Sequence, residues 1–287
     1  MKRLIVNADD FGFTRGVNRA IVRAFNTGIV TSATIMSNGE AFEDAIALAR
    51  ANPGLGVGCH LAVIGGRPVA PAGEVASLVD SGGLLPKTLA KLMIKLARGS
   101  VPTHELAGEF RAQVARVVES GIKLTHLDTH KHSHTHPRVM QALALVAAEF
   151  GIKCVRNPFE NQFSLPRLSP AYKWAYLKQS VLSAAVSPGA IRFKRLTREY
   201  GLKTPDRFLG VKLTGMLDSA AIRSMMESLG EGTAELMCHP GEYDDDLERA
   251  RTRLKREREL ELQALSDPSL RRFAEQLGIA LINYREL

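Results

Sequence analysis

The sequence predicts an α/β fold, a distorted (β/α) barrel of about seven strands, on three observations. Short apolar runs rich in β-branched residues alternate with longer stretches of helical periodicity along all 287 residues. Such alternation favours a parallel sheet joined by crossover helices. No Ser/Gly-rich linker or low-complexity stretch interrupts it, so a single domain over 1–287 is expected. Carboxylates and histidines recur at the C-terminal ends of the predicted strands, where a parallel barrel gathers its functional groups. A doubly wound open sheet is the alternative. The turn Asp9-Asp10-Phe11-Gly12-Phe13-Thr14-Arg15-Gly16 lacks the dinucleotide-binding glycine pattern, and no phosphate-binding P-loop sequence is present.

Leu4-Ile5-Val6 reads as the first strand. Residues 15–27 follow with apolar side chains at 17, 20, 21, 24 and 25, which is helical spacing, and Gly28 stops the helix. The β-branched run 29–36 is a second strand, 40–50 a helix closed by Asn52-Pro53-Gly54, and 55–63 a third strand. A Gly- and Pro-rich excursion over 64–86 is expected to be a loop or lid. Helices at 87–98 and 103–119, a strand at 122–129 and a helix opening at Pro137 come next; proline suits a first helical turn. The remainder predicts a strand at 152–156, an irregular Pro-rich segment that is a second lid candidate, and helices within 170–200. Strands at 207–213 and 234–238, long charged helices and a last strand at 279–283 complete the order.

The composition, 45% hydrophobic and 24% charged, is that of an ordinary globular protein. A net charge of +8 raises the question of nucleic acid. Yet the basic run 249–272 is interleaved with Glu257, Glu259 and Glu261 and follows Glu248, which reads as a solvated helix face. Aromatic residues make up 6% and do not alternate with basic ones, so no nucleic-acid partner is expected. The amino-terminal apolar run is too short for a signal peptide, and no window reaches the roughly 18 apolar residues of a membrane span. A cytoplasmic location follows as the expectation. Cys59, Cys154 and Cys238 are too few and too widely spaced for a disulfide framework. Strand alternation turns Cys59 and Cys238 away from the faces of His60 and His239, so they read as small core residues.

The chain has eight histidines, and five of them fall between Thr125 and Pro137. Alternation puts His126, Asp128 and His130 on one face. Asp9 and Asp10 close the first strand, His60 lies near the end of the third, and His239 ends a late one. Taken singly, the acid pair fits a cap or turn, His60 a core histidine, and His239-Pro240-Gly241 a strand-end turn. His104 stands without companions and reads as structural. Together, four segments deliver carboxylates and imidazoles to one barrel mouth. A nitrogen and oxygen donor set suits one divalent ion, zinc first, with magnesium, manganese, cobalt and nickel also compatible. Such an ion acidifies a bound water and polarises a carbonyl.

These residues resemble the YdjC-like carbohydrate deacetylases, the ChbG/HpnK family. The matching pieces are Asn7-Ala8-Asp9-Asp10-Phe11-Gly12, Val57-Gly58-Cys59-His60-Leu61, His126-Leu127-Asp128-Thr129-His130-Lys131-His132-Ser133-His134 and Cys238-His239-Pro240-Gly241. Gly151-Ile152-Lys153 and Gly278-Ile279-Ala280-Leu281-Ile282-Asn283-Tyr284 also fit. The resemblance implies a distorted barrel related to polysaccharide deacetylases, with a metal held by Asp10, His60 and His130. It implies Asp9 as general base, His239 as general acid, and acetate released from an N-acetylated sugar. Asp128, His132 and His134 are expected in the pocket or behind the ligands, and Arg156 on substrate or on a carboxylate. After Gly241 this chain reads Glu242-Tyr243-Asp244-Asp245, where the family places an aromatic residue directly after the glycine, so the pocket wall there is expected to differ.

Three rivals stay open at this level. A metal-dependent phosphoesterase or amidohydrolase on a similar barrel would use the surplus His132, His134 and His136 for a second ion. A metal store or sensor, or a nucleic-acid-binding protein, would need neither Asp9 nor His239. A homodimer is compatible with the sequence.

Overall fold

The computed structural model describes residues 1–160, 173–186 and 189–287. The amino-terminal half begins β1 (Lys2–Phe11), α1 (Arg15–Thr27), β2 (Ser32–Ile35), α2 (Phe42–Ala51) and β3 (Gly56–Leu61). It continues α3 (Leu89–Ala97), α4 (Thr103–Glu119), β4 (Leu127–Thr129), a 3-10 turn (His130–Thr135) and α5 (Pro137–Glu149). The second half runs α6 (Lys173–Val186), α7 (Ala190–Glu199), β5 (Arg207–Leu209), α8 (Ser219–Glu227) and β6 (Gly232–Cys238). It ends with α9 (Asp245–Arg249), α10 (Glu257–Leu265), α11 (Pro268–Gln276) and β7 (Ile279–Leu281).

The strands form one parallel sheet in the order β4-β3-β2-β1-β6-β5. β7 pairs with the first residues of β1, on the edge that β2 occupies further along. β1 lies at the centre and is buried from Leu4 onward, which is why it reads as a continuous apolar run up to Asn7. The sheet curls. Leu127 bridges to Val155, and Cys154 bridges to Lys203, which leads directly into β5. These two bridges extend the pairing from β4 toward the segment that leads into β5, and the parallel sheet curls into a half-barrel.

Local chemistry explains where elements stop. Thr14 caps α1 by accepting a hydrogen bond from the Val17 amide at 3.2 Å. Pro137 opens α5 at its first turn. Several strands are shorter than their apolar runs because backbone groups are spent elsewhere. The Ile29 amide bonds to Leu265, so β2 starts at Ser32. Gly210 adopts φ 110 and turns the chain at the end of β5. Among the described residues the run 122–126 carries two isolated inter-strand backbone bonds, from Thr125 to Val57 and from Cys59 to His126. Residues 152–156 form bridges in place of a strand. Gly58 is required for packing, since a side chain there would run into the buried His126 ring, which stacks on Tyr284 at 3.7 Å. Of the two lid candidates, 64–86 is an irregular excursion; the other lies largely in 161–172, outside the described residues.

Candidate active site

In a regular strand adjacent side chains face opposite ways, and Asp9 and Asp10 would part. β1 breaks that rule. Its register with β2 runs Ala8 to Ala33 and then Phe11 to Ile35, three steps against two. The additional residue is a β-bulge, and Asp10 absorbs it at φ 69. Left-handed backbone costs a non-glycine residue on the order of 1–3 kcal/mol. In return, both carboxylates stand beside His60 at the strand's end. Lys131 (φ 53) and His132 (φ 52) adopt the same conformation directly after His130. The backbone thus leaves the β4 ladder before His130, and this turn, not strand alternation, aims that ring.

Asp10 Oδ1 lies 3.6 Å from His60 Nε2 and 3.4 Å from His130 Nδ1, and the two ring nitrogens are 3.2 Å apart. Donors about 2.0–2.1 Å from a tetrahedral ion stand about 3.3 Å from one another. The three atoms therefore have the span of one face of such a site. Asp10 Oδ1 is buried with no hydrogen-bond partner among the described residues, an orphan that a cation would satisfy. Its other oxygen accepts from Nη2 of buried Arg258 at 2.5 Å. Behind His60, Asp128 Oδ1 lies 2.7 Å from Nδ1. A carboxylate accepts, so Nδ1 carries the hydrogen and Nε2 is the nitrogen left for a metal.

Arg156 is fully buried and organises the acids around it. Its Nη1 and Nη2 fork onto Asp9 at 2.7 and 2.6 Å, Nε donates to Glu235 at 2.8 Å, and Nη1 meets Asp128 Oδ2 at 2.5 Å. Tyr284 donates to the far oxygen of Glu235 at 2.5 Å. Asn7 and Thr34 add hydrogen bonds to Asp9 Oδ1. Burial alone would raise the Asp9 pKa; the Arg156 guanidinium overcomes it and holds the carboxyl well below the usual range. Burial pushes Glu235 up to about 7 despite Arg156 and Tyr284. Four carboxylates, Asp9, Asp10, Asp128 and Glu235, thus face two guanidiniums, Arg156 and Arg258. The carboxylates outnumber the guanidiniums, and a bound cation would offset the excess.

That excess of negative charge acts on His60. Burial would lower its pKa, but Asp128, Asp9 and Asp10 raise it to about 9. At neutral pH a metal must displace this proton, so binding is expected to release about one proton per ion and to weaken about tenfold per pH unit below 9. Titration calorimetry near pH 7.5 in two buffers of different ionisation enthalpy measures the release. No released proton would contradict this electrostatic picture.

His239 directly follows β6 at the same mouth. Its amide donates to Glu261 Oε2 at 2.5 Å, and Glu261 Oε1 accepts from the Gly215 amide at 2.8 Å, fixing the turn. Burial lowers the His239 pKa to about 4, against the pull of Asp9 and Asp10, so the ring is neutral at pH 7. Its Nδ1 is buried without a partner among the described residues. A cleft of about 530 Å³ reaches His130, within the size range of small-molecule pockets. Phe13, Met36, Lys131 and Arg249 line it, together with Ile64 and Leu85 from the 64–86 excursion.

The family model of the YdjC-like proteins matches residues 3–276. The chain belongs to this family. It is 33% identical over 288 residues to a carbohydrate deacetylase of Brevibacillus brevis, covering 99% of each chain. It is 32% identical over 291 residues to a chitooligosaccharide deacetylase of Escherichia fergusonii, covering 99% of this chain and 98% of the relative. A crystal structure from Enterococcus faecalis V583, provisionally named for cellobiose-phosphate cleavage, superposes with a TM-score of 0.79 at 25% identity. That match spans 99% of this chain and 98% of the other.

In this YdjC-like protein the sequence-predicted residues fall into three groups. Asp10, His60 and His130 form the cradle; Asp9, Asp128 and Arg156 form the ion-pair cluster behind it; His239 sits where the charges of Asp9 and Asp10 reach it. His132 lies edge-on to Phe208 at 5.4 Å. His134 points away from the cradle. Its Nε2 donates to the Arg156 carbonyl at 3.1 Å while Nδ1 accepts from the Thr129 hydroxyl at 2.6 Å, which pins the Arg156 backbone. One expectation is corrected. The mixed-charge run 249–272 is not uniformly a solvated face, because Arg258 and Glu261 are 2% and 1% exposed. They are the inward side of α10, bonded to Asp10 and to the His239 amide. Sequence reasoning also missed Asn7, Thr34, Glu235 and Tyr284. Glu235 carried a usable signal, since a carboxylate inside an apolar strand is seldom buried unpaired.

Proposed function

We propose that this YdjC-like protein is a metal-dependent carbohydrate deacetylase that removes acetyl from an N-acetylated sugar, a chito-oligosaccharide or a related glycan or glycolipid. The observation that carries the reading is the convergence of Asp10, His60 and His130 beside an arginine-clamped Asp9, in a chain one-third identical to a carbohydrate deacetylase. Asp10, His60 and His130 would hold the ion, zinc by donor type, with magnesium, manganese, cobalt or nickel as alternatives. When bound, the ion supplies Lewis acidity to the acetamido carbonyl and lowers the pKa of a water.

The residues supply the proton traffic. Asp9 accepts the proton of the attacking water. Arg156 occupies one side of each Asp9 oxygen and keeps the carboxylate ionised and in place. The amide C–N bond breaks as the amine takes a proton from His239, giving acetate and the free amino sugar. Because His239 is neutral at rest, the proton it hands to the amine is the one Asp9 takes from the water, passed on within the same turnover, so that no proton is gained or lost at the two residues. The two-ion phosphoesterase alternative would place a second cation among Asp9, His60 and Asp128. Arg156 already engages both of those acids, which favours a single ion. Three buried free cysteines suit a reducing compartment, consistent with a cytoplasmic enzyme.

The test is acetate release from a panel of N-acetylated sugars after chelation and metal add-back. Chelation should abolish release, and zinc or another divalent ion should restore it. No acetate from any sugar, or release indifferent to chelation, would overturn the reading.

A further inference from the structure

The outer faces of α6 and α7 are unlike the rest of the surface. Trp174 is 77% exposed, Leu177 51%, Val181 62% and Ile191 82%. At 3.6 residues per turn Trp174, Leu177 and Val181 fall on one stripe of α6, and Lys173 and Lys178 flank it on either side. On α7, Ile191, Lys194, Arg195 and Arg198 recur at helical spacing and form one exposed face, with Arg192 beside them. Across the two helices six exposed cations accompany one acid, Glu199. Ile191, Lys194, Arg195, Arg198 and Glu199 line a shallow groove of about 580 Å³.

We infer that this apolar stripe and cation row form a docking surface for an anionic lipid bilayer. The arrangement has the elements of interfacial binding: a Trp with aliphatic neighbours to enter the acyl boundary, and lysines and arginines placed to reach phosphate headgroups. Charge complementarity selects this occupant over a second copy of the chain. A two-fold contact would press the cation row against itself. No helix among the described residues is long and apolar enough to cross a membrane, so the protein would lie on the surface. The inner face of α7 connects this surface to the site. Phe193 packs against His134, in the turn that follows His130, and against Phe159.

Trp174 is the chain's single tryptophan, so its fluorescence reports on this face alone. The intact protein is mixed with phosphatidylcholine vesicles with or without about one-third phosphatidylglycerol. Anionic vesicles should shift the emission to the blue and expose it to quenching by brominated lipid. Neutral vesicles should do far less, and half-molar salt should reverse the effect. The variant Lys194→Glu/Arg195→Glu/Arg198→Glu should weaken vesicle affinity on the order of 100-fold. Its acetate release from a soluble sugar should stay unchanged, which separates failure of this inference from failure of the deacetylase reading. Three results would overturn the inference: no shift with anionic vesicles, a lipid-free shift that grows with concentration as the mass doubles, or tighter retention by single-stranded nucleic acid than by anionic vesicles.

Discussion

Replacing Asp9 with Asn is expected to lower kcat for acetate release by about 100- to 10,000-fold while bound metal stays at the wild-type level. The two readouts separate because Asp9 is held by Arg156, Asn7 and Thr34, whereas the cradle is made by Asp10, His60 and His130. Asn keeps the shape and one acceptor oxygen but cannot take a proton. It also turns an amide NH2 toward a guanidinium donor, so some loss of stability accompanies the loss of rate. Metal analysis and circular dichroism on the same sample distinguish this from unfolding. Loss of the ion in the variant would show that Asp9 is a ligand and that the division of labour between the paired aspartates is wrong.

The second large effect concerns stability. Arg156→Met removes the one cation that touches Asp9, Asp128 and Glu235 together. Deleting one partner of a buried ion pair typically costs about 3–5 kcal/mol, because the remaining charge is left uncompensated. For a chain of this size the expected fall in Tm is on the order of 10 °C. The pH dependence has a definite sign. Glu235 has a folded pKa raised from 4.5 to about 7, so its contribution is fully present below about 4.5 and lost as pH rises through 7. Without Arg156 to hold it down, Glu235 is pushed higher still, and the variant should be less impaired at pH 5 than at pH 8. Thermal melts at the two pH values measure this. Equal damage at both would mean that Arg156 contributes packing and not charge compensation. Lysine should not rescue fully, since one ammonium cannot reproduce the fork onto Asp9 and also reach Glu235.

The repeating β-α order and the chemistry-bearing strand ends were legible because strands buried on both faces read as short continuous apolar runs, while the helices between them keep the 3.6-residue period. The strand limits were not. They depend on single backbone bonds, such as Ile29 to Leu265, between residues hundreds of positions apart. The histidine cluster announced a site, but its rings have different duties. His130 faces the cradle, His134 pins the Arg156 backbone, and His126 stacks on Tyr284 in the core. Spacing alone does not separate these, because two left-handed residues rotate the chain between them. Arg258 and Glu261 were hidden for a different reason. A mixed-charge helix has the same appearance in sequence whether its charges meet water or a buried counter-charge, and only the packing of α10 against the strand ends decides.

The most direct measurement is elemental analysis of the purified protein after dialysis, beside Asp10→Ala, His60→Ala and His130→Ala. The wild type should carry one divalent ion per chain, and each variant should carry almost none while keeping its fold by circular dichroism. A stoichiometric ion retained in any of the three, or two ions in the wild type, would contradict the cradle.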